Sequence, residues 1–252
     1  MFYFFLAPFL VYNWILILAA VIPAVILLVK VYRSDRLEPE SPSLLRSLVI
    51  YGILSTLIAM ILERIGSAIL GAAVSRTDPL YNIILYFVIV GFAEEGSKYF
   101  MLRRKTWRSP EYNCQYDGVV YAVFVSLGFA LWENISYVLH FGFATALVRA
   151  VTAIPGHACF GVFMGVFYGL AKGCSAIGNT SRAKVFNVLA VVFPALVHGA
   201  YDYIASMQDA GTGIWKFVIF VALLFLASFA LVNHLSKNDR YFQYHRDFYR
   251  NR

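Results

Sequence analysis

Seven apolar runs of about 20 residues each leave this chain little choice but to cross a lipid bilayer as helices. They lie near 11–32, 47–70, 80–102, 118–140, 151–172, 185–207 and 214–235. Hydrocarbon offers no water to stray amides, so each run must satisfy its own backbone, and a helix does so within one segment. With 60% of its residues hydrophobic and 14% charged, the 252-residue chain lies far from the balance of a soluble domain. The expected fold is all-α: a polytopic bundle of about seven membrane-spanning helices, forming one integral-membrane domain over residues 1–252. Glu63 and Arg64 interrupt the second run, which leaves residues 65–74 as either its helix end or an interfacial piece.

Charged loops orient the bundle. One set of connections carries Arg33, Arg36 and Arg46, then Arg103, Arg104, Lys105 and Arg108, then Lys172, Arg182 and Lys184, and finally Lys237, Arg240, Arg246, Arg250 and Arg252. The alternate set holds only Arg76, Arg149 and Lys216. By the positive-inside rule this chain sits in the plasma (inner) membrane with its amino end extracytoplasmic and its carboxyl end cytoplasmic. The net charge of +7 is thereby explained by topology, and no nucleic-acid partner is expected. The first run lacks a basic leading region and exceeds a signal core in length, so it reads as an anchored helix. Cys114, Cys159 and Cys174 form no paired-cysteine metal motif and imply no disulfide framework.

Within the fifth run Gly161, Gly165, Gly169 and Gly173 recur every four residues, a stripe on which another helix packs closely. Pro155 suits a first helical turn, so that helix is expected to begin near it, with residues 141–154 forming a short lip that carries Arg149.

Eight polar side chains lie inside otherwise apolar runs: Glu94, Glu95, Lys98, Glu133, Asn134, His157, His198 and Asp202. A charge at the centre of a membrane helix costs about 2.5 to 3.5 kcal/mol even on the mildest scale, so such groups are usually paired, hydrated and functional. On a helix Lys98 reaches both Glu94 and Glu95, and Asp202 stacks under His198 where it can orient the imidazole. Fully ionised, the four carboxylates and Lys98 sum to minus three, which calls for bound protons, a divalent cation, or both. Either answer is a chemistry, through a carboxylate that exchanges a proton or a Lewis-acidic metal. The chain has no His-Glu-x-x-His motif and no nucleophile elbow, which leaves an activated-water mechanism.

Glu-Glu-x-x-Lys at 94–98, Phe-x-x-x-Glu-Asn at 129–134, the helix-borne His157 and His-x-x-x-Asp at 198–202 resemble the motifs of the PrsW family. The element Asp35-Arg36-Leu37-Glu38-Pro39 is also similar to that family. The resemblance implies a bacterial membrane protease that cuts the extracytoplasmic part of a membrane-bound anti-sigma factor, so that a stress-response sigma factor is released after further proteolysis. It implies a four-helix catalytic core, here about residues 80–207, shared with the type II CAAX prenyl proteases. It also implies that Glu94, Glu95, Glu133 and His157 or His198 are essential.

The resulting expectation is an intramembrane endopeptidase acting on a membrane protein in the lipid bilayer. Glu94 or Glu95 is the general base and Lys98 sets its charge state. Glu133, His157 and His198 hold one zinc-like divalent metal or stabilise the oxyanion of a glutamate-only mechanism. Asp202 orients His198, and Asn134 donates to substrate or to Glu133. The alternatives are a carrier or proton-coupled channel, against which the lack of an internal repeat counts, and a catalytically inactive membrane scaffold.

Overall fold

The computed structural model describes residues 2–35, 37–207 and 213–243, with side chains from residue 14 onward. Arg36, Arg246, Arg250 and Arg252, used above for orientation, lie outside the described residues. The elements are α1 (Phe2–Ser34), α2 (Pro42–Ala73), α3 (Pro79–Ile83), a π-helical segment (Ile84–Val90), α4 (Gly91–Thr106), α5 (Gln115–Phe141), α6 (Phe143–Val151), α7 (Ala153–Ala176), α8 (Thr180–Ser206) and α9 (Gly213–Lys237). Joined end to end where they are continuous, these give seven segments long and apolar enough to span a membrane. The chain is an all-α, multi-pass membrane protein.

Local sequence sets the helix ends. Ser41 caps α2 through a bond from the Leu44 amide, with Pro42 in the first turn. The α5 start is held by Asp117, whose carboxylate accepts from the amides of Asn113 and Cys114 at 2.9 and 2.7 Å. Helix α2 runs unbroken through Glu63 and Arg64, so residues 65–73 are its helix end. The lip is a helix of its own, α6, and α7 begins at Ala153, two residues ahead of the expected Pro155.

Helix α5 forms the centre, with every residue from 116 to 130 buried. Its closest neighbour is α7, and the glycine stripe explains why. A Cβ on Gly165 or Gly169 would strike the backbone of Val119 or Gln115, and one on Gly161 would lie 3.0 Å from the Val123 Cα. Gly173 instead meets the ring of Phe242. On the outside, Trp14, Ile22 and Ile26 of α1 and Leu223, Leu226 and Phe229 of α9 stay exposed, as lipid-facing residues do.

Two further close approaches position the site. Gly91 lies against the Ala195 backbone, and Gly199 against that of Phe87. The start of α4 is thereby brought against the middle of α8, so that side chains from the two can touch. The π-helical segment just before α4 ends in a bond from the Gly91 amide to the Tyr86 carbonyl. Such wide turns occur frequently at functional sites.

Candidate active site

Lys98 is the buried hub of the polar cluster. Its Nζ donates to Glu94 Oε2 at 3.1 Å, to Glu95 Oε1 at 2.7 Å and to His157 Nδ1 at 3.1 Å, and it sits 3.9 Å from the centroid of the Phe129 ring. An ammonium only donates, so His157 Nδ1 must accept and its Nε2 carries the proton. That Nε2 meets Glu133 Oε2 at 2.9 Å. Glu133 Oε2 also receives Arg149 Nη2 at 2.8 Å. One hydrogen-bonded chain therefore runs from α4 through α7 and α5 to α6.

His198 joins this chain from α8. Its Nδ1 lies 2.9 Å from Glu95 Oε1 and 3.8 Å from Glu94 Oε2, while Nε2 faces Asp202 Oδ2 at a loose 3.5 Å. Phe160 stacks on the His198 ring at a centroid distance of 4.5 Å, and the His157 ring stands edge-on at 5.2 Å. These aromatic faces fix both imidazoles.

A cavity of about 380 Å³ opens onto the cluster, lined among others by Glu63, Glu94, Glu133, Arg149, His157, His198 and Asp202. This volume is in the range of ligand pockets. Access is graded: the Glu133 and Asp202 side chains are 22% and 25% exposed, whereas Glu95 and Lys98 are wholly buried. From the ends of their helices Glu94 and Glu95 look deeper in the membrane than the histidines. In the folded chain they touch, because the close glycine approaches bring α4 onto α8.

Seven of the eight singled-out residues thus belong to one connected network around the cavity. Asn134 plays a different part from the one expected. Its Oδ1 accepts from Arg149 Nε at 2.8 Å and its Nδ2 donates to the Ala20 carbonyl at 3.1 Å, so it faces α1 and the guanidinium, away from Glu133 and the cavity. Arg149 is the residue that sequence reasoning passed over, having been counted as a loop charge. It binds Glu133 and Asn134 and lies 4.1 Å from the Tyr137 ring centroid. Glu63, seen only as an interruption, lines the cavity mouth.

Donor atoms suited to a metal also converge. Glu94, Glu95, His157 and His198 each offer one within 4.8 Å of the others. Glu133, expected among the ligands, is outside this group, and its Oε2 lies against Arg149 and His157. The fit is good in two respects: Glu95 Oε2 is buried with no hydrogen-bond partner, and two imidazoles with two carboxylates suit a zinc-like ion. Counting Arg149 with Lys98 against Glu94, Glu95, Glu133 and Asp202, and leaving aside Glu63 at the mouth, gives minus two, the charge one divalent ion cancels.

A multi-pass helical bundle enclosing a carboxylate, histidine and lysine centre at a ligand-sized cavity has the parts of an intramembrane hydrolase. Residues 40–231 match the family model described as PrsW family intramembrane metalloprotease, and the chain belongs to that family. Proteins named Protease PrsW are similar to it. That of Halalkalibacterium halodurans is 34% identical over 211 residues, covering 84% of this chain and 90% of its own. The Bacillus subtilis protein is 35% identical over 150 residues (60% and 65%), and the Geobacillus kaustophilus protein 31% over 194 (77% and 81%). No solved structure matches. The chain is a membrane endopeptidase acting on membrane proteins within the bilayer, and the carrier and scaffold alternatives fall away.

Proposed function

We propose that this endopeptidase cuts the extracytoplasmic part of a membrane-bound anti-sigma factor and so starts the release of a stress-response sigma factor. One observation carries the catalytic part of this reading: Glu94 lies at the cavity wall while its ammonium partner Lys98 is sealed beneath it. Glu94 takes the proton of the attacking water and later gives it to the departing amine. Glu95, closed off from the cavity, anchors Lys98 and His198. Lys98 holds Glu94 at the cavity wall through their 3.1 Å ion pair. Glu133 fixes the His157 Nε2–H and holds the Arg149 guanidinium at the wall, where the remaining guanidinium N–H groups can meet the oxyanion. Asp202 orients His198. A zinc-like ion held by Glu95 and the histidines would supply Lewis acidity to water and carbonyl, leaving Glu94 as the base.

The carboxyl end is cytoplasmic and the cavity opens outward in this reading. Glu133 lies eight residues before the end of α5, and His198 eight before the end of α8, each roughly 12 Å from its helix end at 1.5 Å per residue. Those ends are extracytoplasmic under the loop-charge rule. The whole chain acts as one domain, with its catalytic core at about 80–207.

Reconstitution with a single-pass anti-sigma factor tests the substrate. Cleavage on the extracytoplasmic side of the substrate's span, lost in Glu94→Gln, is expected, and cleavage only on the cytoplasmic side would refute it. Cysteines placed beside Glu133 and His157 should react with an impermeant thiol reagent from outside, while Cys114 should not. The reverse pattern would overturn the orientation.

A further inference from the structure

A second acidic cluster lies at the other end of the bundle, some 16 residues or roughly 24 Å along α5 from Glu133. Asp35 follows α1, Glu40 precedes α2, Asp117 stands in the first turn of α5 and Asp239 follows α9. Asp35, Glu40 and Asp117 each offer an oxygen within 4.8 Å of the others, and Asp117 stands in the same relation to Asp239 and Cys114. Asp35, Glu40 and Asp117 are all buried. No Lys, Arg or His among the described residues forms an ion pair with any of the four carboxylates.

Clustered acids alone prove little, but these have orphaned atoms. Both oxygens of Asp35, which is only 9% exposed, are buried without a hydrogen-bond partner. The Leu37 and Glu38 amides lie near it without closing a bond. Asp239 Oδ1 accepts from the Tyr116 amide at 3.1 Å, and its Oδ2 is left over. The hydroxyls of Tyr116 and Tyr121, both fully buried, lie near Ser34 and Glu40 without closing a bond. Burial, reinforced by the neighbouring carboxylates, pushes Asp35 up to about 6 and Glu40 up to about 9.

We propose that Asp35, Glu40 and Asp117, with Asp239 beside them, bind a hard divalent cation that clamps the end of α1, the start of α2 and the start of α5. All-oxygen ligands select calcium or magnesium over softer metals. Calcium accepts more oxygens in looser geometry than magnesium does, so the test below separates the two. The Cys114 thiol, pushed up by burial and the same acids, stays protonated and adds no thiolate.

Terbium(III), which occupies hard-cation sites and is excited through nearby tyrosines, is the probe. The full-length detergent-solubilised chain, stripped by chelator, should show tyrosine-sensitised terbium emission that calcium or magnesium displaces. The ion acting at lower concentration is the preferred ligand. Asp35→Asn and Glu40→Gln should abolish the emission, whereas His198→Ala and Glu94→Gln, which alter the catalytic centre, should keep it. Tyr121→Phe should dim it without changing the calcium concentration that displaces it. Absence of emission in the parent chain, or emission unaffected by both Asp35→Asn and Glu40→Gln, overturns the proposal. So does its loss only in the catalytic-centre variants. Should the acidic-cluster variants misfold, the parent alone decides: its melting temperature should fall on chelation and recover with calcium, and indifference to both refutes the site.

Discussion

Replacing Lys98 by methionine keeps the length of the buried stem and removes the charge on which the catalytic network turns. The ammonium stands 2.7 Å from Glu95 and 3.1 Å from Glu94, with none of it exposed. At an effective dielectric of about 20 those contacts are worth roughly 6 and 5 kcal/mol of gross Coulomb energy. Desolvation cancels much of this, and removing one partner of a buried pair typically costs about 3 to 5 kcal/mol. His198, 2.9 Å from Glu95, remains as a partial counterpart, which places the expected loss near the lower bound. Lys98→Met should therefore lower the unfolding free energy in mixed detergent micelles by about 3 kcal/mol and abolish cleavage. Adding Glu95→Gln removes one of the stranded charges. The double variant should regain on the order of 1 to 3 kcal/mol of that loss while staying inactive. If Lys98→Met unfolds like the parent, or its penalty is the same in the Glu95→Gln background, the account of Lys98 as counter-ion is wrong.

Glu94→Gln, which keeps the side chain's shape and leaves Lys98 its Glu95 partner, should lower melting less than Lys98→Met does and reduce cleavage to background, and retained turnover would move the general base elsewhere. Arg149→Met strands Glu133 at the cavity wall and loosens Asn134, so turnover should fall on the order of a hundredfold with the protein still folded, read from kcat. Gly165→Leu drives a side chain into the Val119 backbone and should cost at least about 1 to 3 kcal/mol, seen as loss of monodisperse protein in detergent. Elemental analysis should find about one zinc-like ion per chain in the parent and little in His198→Ala, the imidazole whose Nε2 is least engaged.

The spans were legible because length and hydropathy suffice for them. The run read at 118–140 became Gln115–Phe141 and that at 214–235 became Gly213–Lys237. Contacts within one helix were legible too, since Lys98 must reach Glu94 and Glu95 by helical geometry. Contacts between helices were not: Lys98 to His157 spans 59 positions, and His198 to Glu95 spans 103. Arg149 was hidden for a different reason. On a loop it counts toward topology, and only the short α6 folds it back over Glu133. Asn134 looked like a partner of its neighbour Glu133, yet successive residues on a helix point about 100° apart, and it faces α1.

Arg149 also changes the electrostatic argument for the mechanism. Minus three in a dry cavity demands a protonated carboxylate even with a divalent ion present, whereas minus two is neutralised by that ion alone. Yet His157 is already committed, with Nδ1 on Lys98 and Nε2 on Glu133. A cation that took His157 as a ligand would have to displace one of those bonds, and the Lys98 ammonium is the group it repels. His198 and the orphaned Glu95 Oε2 carry no such conflict. Lysine and metal thus compete at His157 but coexist at His198 and Glu95. The choice between a metal-assisted and a glutamate-only reaction therefore reduces to which cation holds the imidazole of α7.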